Sequence, residues 1–538
     1  MINEDGTIGR RELLSLSLWT AGTAITARSR AASALLESSA PAADLLPAKP
    51  KELPVRWRDR ADAFDRYVMN RANEVLQTHS DGLHYFASAL DGDGDGGLTT
   101  FAPIVLGKIL RGDAVDWLAP SMAAYYSDRY GVFLDGRHAA SCEYWYLMNV
   151  NALAGGVVRR HMSQDPVWRA RVRNSADRLI ALAHQLNYDF NDQGYRFDSG
   201  LPWTKQDIYR QPDAIGGYGY LMLLAHEMFG GAQYLAEAKE ALRRYLSFPT
   251  NPWYEVPSGA MACLAAARLS VADPAIDVGK ALGFVLDAGG RPLQTGKWGA
   301  DEVGGLMAGF RTEPAGEAYS MESLMTAGYL LPVLRYCPEF ATIIGRYLLN
   351  AAANMRLFYS DCIGPQHQSR PDLTSAVPYE RLSRSLGGKS PYASGDYGSH
   401  RSIYGGAYAL WWGELMKPTA HPHILQMDVT LTDFLEQRRY PTYLYYNPLG
   451  QAAAVALPAA AEESQVYDLT AHAFLDTRGR GRSSLTIPAK GSRVIVIVPA
   501  HARCNLKNGT LYCGDVVVEY APRQRNRGAR SSIGERNI

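Results

Sequence analysis

Two kinds of helical segment alternate between residue 57 and about residue 420. In the first kind, apolar residues recur every three or four positions, which is typical of a helix with one solvated face. In the second kind, Gly, Ala and aromatic residues are frequent and charged residues are few after the first turn, which is typical of a helix buried on all sides. The first kind comprises 57–79, 114–130, 166–186, 232–247, 273–287 and 338–359, and the second 98–110, 143–158, 213–230, 255–270, 317–336 and 396–415.

Pairing each polar segment with an apolar one predicts a mostly α protein, an (α/α)6 toroid over 57–425. The apolar helices form its inner ring and the polar helices its outer layer. After about residue 425 the pattern changes to short, partly alternating segments separated by Gly, Pro and Asp. That pattern predicts a small antiparallel β-sandwich over 426–522.

The N-terminal 34 residues have the pattern of a twin-arginine-type export signal, with an amphipathic helix as the alternative. Arg10 and Arg11 are adjacent, an apolar stretch runs to about Ala27, and small residues follow at 32–34. A linker is predicted at 35–56 and a disordered basic tail at 523–538. We therefore expect a bacterial periplasmic or secreted protein with no membrane segment after signal cleavage.

Charge and cysteine usage narrow the classes of partner. The 538 residues carry a formal net charge of +1, which gives no electrostatic reason to expect nucleic acid as a partner. The chain has no CxxC pair, and we predict neither a metal nor a cofactor. Cys504 and Cys513 flank Asn508-Gly509, a hairpin-turn sequence, so they form either a cross-strand disulfide or two free thiols.

The stretch 91-DGDGDGG-97 admits two interpretations. Its spacing resembles a calcium loop, but Ala102 stands where such a loop has a bidentate Glu. Because the stretch directly precedes the first apolar helix, we favour one wall of a sugar site, with Asp95 nearest the helix.

Acidic residues open most of the apolar segments. Inner helices of a toroid run in one direction, so these carboxylates are expected at one end of the ring. Paired carboxylates beside aromatic rings suit glycosidic chemistry, one as acid and one as base. The alternative is that each carboxylate only caps its helix, a contribution of about 0.3–1 kcal/mol. The candidate catalytic residues are Asp213, Glu255, Asp301, Glu143 and Asp396.

Residues of the same segments and of the long loops between them are candidates for substrate binding. The polar, aromatic loop 188–213 is long enough to act as a lid or a substrate wall. The candidates are Asp95, Trp145, Trp203, Tyr218, Trp298, Glu317, Tyr319, Tyr397 and His400.

Together the helix pairs and the small β-domain resemble the six-hairpin glycosidase-like superfamily. The resemblance covers about 57–520 and includes 212-PDAIGGYGYLMLLAHEMFGG-231, 440-YPTYLYYNPLG-450 and 492-SRVIVIVPA-500. It implies an enzyme acting on carbohydrate and transfers no catalytic residue.

Three hypotheses for the function follow. The first is a glycoside hydrolase, expected to be inverting, acting on an oligo- or polysaccharide. The second is a polysaccharide lyase with Tyr397 or His400 as base and Asn149 or Asn151 neutralising a uronate. The third is a glycan-binding protein without catalysis. The sugar, the linkage and the oligomeric state stay open.

Overall fold

A computed structural model describes residues 46–90, 94–287, 292–311, 316–395, 401–458, 464–475 and 484–520. The predicted export signal and basic tail lie outside these ranges, as do Asp91, Asp93, Asp396, Tyr397 and His400. Within the described ranges, no helix combines the length and the hydrophobicity needed to cross a bilayer.

The described helices follow the predicted alternation. Their bounds are α1 Trp57–Met69, α2 Leu98–Arg111, α3 Tyr144–His161, α4 Pro166–Gln185, α5 Ala214–Phe229, α6 Ala232–Ser247, α7 Val256–Ser270, α8 Val278–Val285, α9 Ser320–Leu330, α10 Val333–Tyr336, α11 Ala341–Asn354, α12 Ile403–Gly406 and α13 Ala409–Leu415.

The apolar helices form a closed ring. In chain order α2, α3, α5, α7, α9 and the pair α12–α13 each contact the next, and α12–α13 returns to α2. Helices α1, α4, α6, α8 and α11 pack outside this ring. The predicted (α/α)6 toroid is therefore confirmed.

One outer position departs from the prediction. Over 114–130 the structure has a 3-10 helix, Ala119–Tyr125, and then a short hairpin instead of an α-helix. Pro120 stands at the start of the 3-10 helix and lacks the N–H that a residue inside an α-helix donates, which disfavours an α-helix there. The amphipathic spacing was correct in placing the segment outside the ring, but wrong about its conformation.

Glycines of α5 allow the two layers to approach closely. A Cβ on Gly219 would lie 2.3 Å from the Leu242 side chain of α6, and one on Gly216 would lie 2.8 Å from Ala262 of α7. The small residues that marked this segment as an inner helix are thus required by its packing.

The described strands form short sheets beside the helices and one larger sheet after them. Beside the helices lie β1 Leu76–Thr78, β2 His84–Phe86, β3 Tyr126–Ser127, β4 Val132–Phe133, β5 Ser141–Glu143, β6 Gly194–Arg196, β7 Leu201–Trp203, β8 Leu293–Trp298, β9 Asp301–Met307, β10 Glu317–Tyr319, β11 Arg381–Ser383 and β12 Tyr392–Ser394. After them lie β13 Met416–Pro418, β14 Leu425–Asp428, β15 Thr442–Tyr446, β16 Ala453–Ala456, β17 Ser464–Asp468, β18 Ala473–Leu475, β19 Ser484–Ile487, β20 Ser492–Pro499, β21 Cys504–Lys507, β22 Thr510–Cys513 and β23 Val516–Glu519.

The larger sheet is antiparallel, in the order β13-β14-β15-β20-β17-β18, and its central strand is buried on both faces. Val494 and Val496 of β20 join the main core shared with the helices, and Ile495 and Ile497 join a second core. The sheet β16–β19 supplies the other side of that second core. This layered packing explains why 492–500 is a continuous apolar run.

The hairpin β21–β22 contains the disulfide Cys504–Cys513. The two cysteines are cross-strand partners, and Asn508 and Gly509 at the turn have positive φ values of 52° and 79°. Of the two alternatives for these cysteines, the disulfide is confirmed.

The connection from β14 to β15 packs against the far end of the ring, opposite the N-termini of the inner helices. Phe434 packs edge-on against Trp411 of α13, with ring centroids 6.0 Å apart. At the C-terminal end of α3, Arg159 Nη2 donates to the Leu435 carbonyl at 2.9 Å and Arg160 Nη2 to the Asp433 carbonyl at 3.1 Å. This connection therefore covers that end of the ring.

Candidate functional site

The N-termini of the inner helices gather at one end of the ring, here called the mouth. Contacts tie neighbouring helix starts together around it. Asp213, before α5, accepts the backbone N–H of Glu255, before α7, at 3.0 Å. Gln211, just before α5, donates to Glu143, before α3, at 2.6 Å. The structure thus brings Glu143, Asp213 and Glu255 to consecutive helix starts.

Helix capping does not account for these three carboxylates. In the outer layer, Asp165 accepts N–H groups at the start of α4, and Asp277 accepts one at the start of α8. Glu143, Asp213 and Glu255 occupy the same position before α3, α5 and α7, yet none accepts an N–H from the first turn of its own helix. Helix capping therefore does not explain why acidic residues stand at these three positions.

Asp213 and Glu255 are the most deeply buried of the four predicted catalytic residues that the structure describes. Their exposed fractions are 0% and 1%. A buried carboxylate is costly unless its charge is compensated, and the N–H of Glu255 supplies part of this to Asp213. Two buried acidic residues at neighbouring helix starts, linked through a backbone N–H, are candidates for an acid–base site.

Two buried glutamines orient Glu143. Gln193 Nε2 donates to one carboxylate oxygen at 3.2 Å and Gln211 Nε2 to the other at 2.6 Å. Gln211 also accepts the backbone N–H of Trp145 at 2.8 Å, which joins it to the first turn of α3. The sequence analysis missed both glutamines, although they lie in or beside the loop 188–213 that it singled out.

That loop folds into a wall of the mouth. Strands β5, β6 and β7 form an antiparallel sheet in that order, here called the β5–β7 wall. Its register aligns Glu143, Gly194 and Trp203 in one cross-strand row. The strand register thereby brings the backbones of the predicted residues Glu143 and Trp203 into neighbouring positions.

A second sheet, the β10–β12 wall, stands before α9 and α12. Glu317 accepts the hydroxyl of Ser383 and lies 3.5 Å from the Arg381 guanidinium. Tyr319 pairs with Arg381 in the register, so both predicted residues of this wall belong to one polar face. Because the ring runs α2, α3, α5, α7, α9, α12–α13, this wall lies across the mouth from the β5–β7 wall.

Two buried acidic residues at the mouth were not predicted. Glu322, in the first turn of α9, is 5% exposed, and Glu380, just before β11, is 6% exposed. The hydroxyl of Tyr404, on α12, donates to the Glu380 carboxylate. Glu322 lies inside a segment interpreted as a buried helix, where no pattern separates a functional side chain from a packed one.

The hairpin β8–β9 holds two predicted residues at its tip. Asp301 forms an ion pair with Arg356, which follows α11. Trp298, the cross-strand partner of Asp301, is 0% exposed and offers no face to a sugar ring. In the described contacts, both residues serve to fix this hairpin.

Tyr218 and Trp145 are core residues. The Tyr218 hydroxyl donates at 2.7 Å to Glu237 of the outer helix α6, so it points between the two layers and not into the mouth. Burial, together with the Glu237 carboxylate, raises the pKa of Tyr218. The Trp145 side chain is 0% exposed and packs against Tyr146. Their aromatic character reflects packing.

Asp95 is held by protein groups on both carboxylate oxygens. Tyr125 donates to one oxygen at 2.7 Å, Gly97 N–H to the same oxygen at 2.8 Å, and His79 Nε2 lies 3.1 Å from the other. The side chain of Asp95 is 18% exposed, and it orders the turn into α2. Within the described ranges, no group of three or more His, Cys, Asp or Glu residues is arranged to hold a metal ion.

No family model matches the chain, and no curated protein sequence matches it. Similar solved structures include a sugar epimerase from a ruminal bacterium, 9% identical, with a TM-score of 0.45, over 67% of this chain and 98% of that one. A glycoside hydrolase family 76 mannosidase from Bacteroides thetaiotaomicron is 9% identical, with a TM-score of 0.46, over 67% of this chain and 98% of that one. A family 127 β-arabinofuranosidase has 11% identity and a TM-score of 0.34, over 88% of this chain and 84% of that one. At these identities and scores, the activity of this chain has to be inferred from its own residues.

Proposed function

We propose that this protein is a carbohydrate-active enzyme that hydrolyses a glycosidic bond at the mouth of the toroid. The observation that carries the proposal is the adjacent pair Asp213 and Glu255. Both are buried, they are linked through the N–H of Glu255, and neither caps its helix. Glycoside hydrolysis requires two carboxyl groups in different protonation states flanking one bond.

The surroundings of the pair support different roles for its members. The N–H that Asp213 accepts favours its ionised form, as a base that activates water requires. Glu255 is 1% exposed, and burial favours the protonated form of its carboxyl, as a general acid requires. Asp213 as base and Glu255 as acid is therefore the assignment we propose, with inversion of the anomeric centre.

Digestion of a panel of polysaccharides, with product analysis, tests the activity, and two variants test the roles. Asp213→Asn should abolish turnover of every substrate. Glu255→Gln should abolish turnover of natural glycans but retain it on aryl glycosides with a good leaving group, since these need no protonation. Asp277→Asn, which keeps a capping side chain on α8, is the matched control and should behave as wild type. Full activity in Asp213→Asn, or glycan binding without any product, would contradict the proposal.

One observation favours a second candidate, a polysaccharide lyase. Tyr404 at the mouth donates its hydroxyl to the buried Glu380, and a tyrosine with a proton acceptor beside it suits the base of a β-elimination. The predicted bases Tyr397 and His400 lie outside the described residues, and Asn151 bonds the Phe133 and Leu147 carbonyls. Unsaturated uronate products, lost in Tyr404→Phe and retained in Asp213→Asn, would decide for the lyase.

We further propose that the protein is exported, as the N-terminal pattern predicts. The disulfide Cys504–Cys513 supports this, since such bonds persist mainly in oxidising compartments. Fractionation of cells expressing the full chain should find it outside the cytoplasm, and replacing Arg10 and Arg11 by Lys should retain it inside. Cytoplasmic wild-type protein would overturn this proposal.

A further inference from the structure

We infer that four arginines on the outer helix α4, the β3–β4 hairpin and the β5–β7 wall form a docking surface for an acidic polysaccharide. They are Arg129, Arg171, Arg178 and Arg196, here called the arginine track. The inference rests on the proposed function and names its substrate class, a glycan that carries carboxylate or sulfate groups along its chain.

The guanidinium groups of the arginine track have no protein partner for their charge. Within the described ranges, none of the four forms an ion pair or donates a side-chain hydrogen bond. Two of them are exposed and two are half-buried. By contrast, Arg243 and Arg244 of the outer helix α6 both donate to the Glu240 carboxylate. The track therefore offers N–H groups and positive charge to a molecule outside the chain.

Three acidic residues, Asp128, Asp177 and Asp198, lie within two positions of the track in the sequence. Among the described contacts, none of the three forms an ion pair with a track arginine. Asp177 points to the other side of α4, where it accepts the hydroxyl of Tyr234 of α6 at 2.6 Å. Because arginine is always charged, the four arginines outweigh the two aspartates that remain on their side.

Aromatic rings position the guanidinium groups. The Cζ atom of Arg171 lies 4.8 Å from the ring centroid of Trp168 and 5.2 Å from that of Tyr126. The Cζ atom of Arg129 lies 5.2 Å from the ring centroid of Tyr130. Such stacking limits the freedom of a long side chain while its N–H groups stay available for a carboxylate or a sulfate.

The arginine track reaches the mouth. Arg178 lies over the ring of Phe197, with 5.6 Å between Cζ and the ring centroid, and Phe197 directly follows β6 of the β5–β7 wall. The rings of Phe197 and Tyr130 are also in contact, with centroids 5.6 Å apart. Arg196, the last residue of β6, is exposed on that wall. The track therefore runs from the outer layer of the toroid to one wall of the mouth.

Charge and position together favour an acidic polysaccharide over other anionic partners. Guanidinium groups bind carboxylates and sulfates through paired N–H donors. The whole chain has a net charge of only +1, so its positive charge is local and differs from the broad basic surface of a nucleic-acid-binding protein. A narrow track that ends at the proposed site of glycan cleavage fits a linear polymer and holds it next to the mouth.

Calorimetric binding of alginate, dextran sulfate and neutral dextran to the Asp213→Asn variant tests the inference, because this variant should not cleave a bound chain. At least one of the two acidic polymers should bind, and its binding should weaken as the salt concentration rises. Tighter binding of alginate would identify the recognised group as a carboxylate, and tighter binding of dextran sulfate would identify it as a sulfate. Neutral dextran should not bind the track.

Paired substitutions locate the binding surface. Arg171→Gln with Arg178→Gln should weaken binding of the acidic polymer roughly three- to tenfold. Arg243→Gln with Arg244→Gln is the matched control, because it removes the same charge from α6, where Glu240 holds both arginines, and it should bind as wild type. Arg171→Lys with Arg178→Lys keeps the charge and should retain most of the binding, which separates loss of charge from loss of folding.

The failure of the track and the failure of the proposed function give different results. Unchanged binding in Arg171→Gln with Arg178→Gln, or equal weakening in the α6 control, would overturn the track. Tighter binding of duplex DNA or of phosphatidylglycerol vesicles through the same arginines would overturn the choice of partner. A short aryl glycoside does not reach α4, so the track variant should hydrolyse it at the wild-type rate. Full activity in Asp213→Asn would overturn only the proposed hydrolysis.

Discussion

At the scale of single residues, the same residue type does two different jobs at the starts of these helices. Asp165 bonds the first turn of α4, whereas Asp213, before α5, bonds the N–H of Glu255 on a neighbouring helix. Both positions have the same local pattern, an acidic residue before a helix. The difference depends on which neighbour lies within hydrogen-bond distance, and local sequence does not record that.

A capping aspartate and a catalytic aspartate should respond differently to substitution, the first with a loss of stability and the second with a loss of activity. Asp165→Ala removes a cap, so it should lower the free energy of unfolding by about 0.5–2 kcal/mol and leave kcat unchanged. Urea denaturation monitored by circular dichroism, together with an activity assay, measures both quantities. A large loss of activity at unchanged stability would show that Asp165 does more than cap α4.

Tyr218 should behave as a structural residue. Glu237 is 9% exposed, and one of its carboxylate oxygens accepts hydrogen bonds from the hydroxyls of both Tyr218 and Tyr188. Tyr218→Phe removes the first of these hydrogen bonds and leaves the second. We expect a loss of about 1–3 kcal/mol in unfolding free energy, with kcat and KM unchanged. A raised KM in a variant of wild-type stability would instead place Tyr218 in the substrate site.

At the scale of elements, the outer helices are held mainly by their apolar stripes. On α6, the buried residues Tyr234, Ala238, Ala241 and Tyr245 follow a helical period. Sequence predicted such stripes well, because a 3.6-residue period is a local property. It failed over 114–130, where the apolar spacing suits an α-helix but the segment at Pro120 forms a 3-10 helix, although α2 continues through Pro103.

The exposed face of α6 carries Glu240 and two arginines, and this group makes the stability of the protein depend on pH. Hydrogen bonds from Arg243 and then Arg244 lower the pKa of Glu240 to about 2 from an ordinary 4.5. A carboxylate with a lowered folded-state pKa stabilises the protein above its unfolded pKa, and that contribution is lost as the pH falls. Because solvent screens these charges, Glu240→Gln should lower the free energy of unfolding by only about 0.5–1 kcal/mol at neutral pH.

Denaturation at several pH values measures that contribution. The difference between wild type and Glu240→Gln should shrink as the pH falls from about 4.5 towards 2, and also in high salt. A difference that stayed constant over this range would mean that helix propensity or packing, and not charge, distinguishes the variant.

At the scale of the whole molecule, the ring is covered at one end and offers its polar mouth at the other. Phe434, on the connection between β14 and β15, is 2% exposed and packs against the inner helix α13. The connection therefore belongs to the core of the toroid, although it lies between two strands of the C-terminal sheet.

This packing predicts that the helices and the sheet unfold together. Phe434→Ala should lower the unfolding free energy by about 3–5 kcal/mol in one cooperative transition. Phe474→Ala, at a position 40% exposed on β18, is the matched control and should have a much smaller effect. If Phe434→Ala produced two separate transitions, the sheet and the ring would be independent units.

The sequence by itself determined the elements and their order. Apolar periodicity located the inner and outer helices, alternation located the strands, and Asn508-Gly509 indicated the hairpin that the disulfide joins. These signals are local, because each depends on residues within a turn or a few positions of one another. Since inner helices run in parallel, the sequence also placed Glu143, Asp213 and Glu255 at one end of the ring.

Only the tertiary structure decided how those carboxylates are used. The donors that orient Glu143 come from 50 and 68 residues away in the chain, and Asp213 reaches an N–H that lies 42 residues away. The sequence analysis predicted that Tyr218 binds substrate, but in the structure its hydroxyl points towards α6. Pairings over such separations depend on the ring closing and on the register of the β5–β7 wall, and no local periodicity encodes either of them.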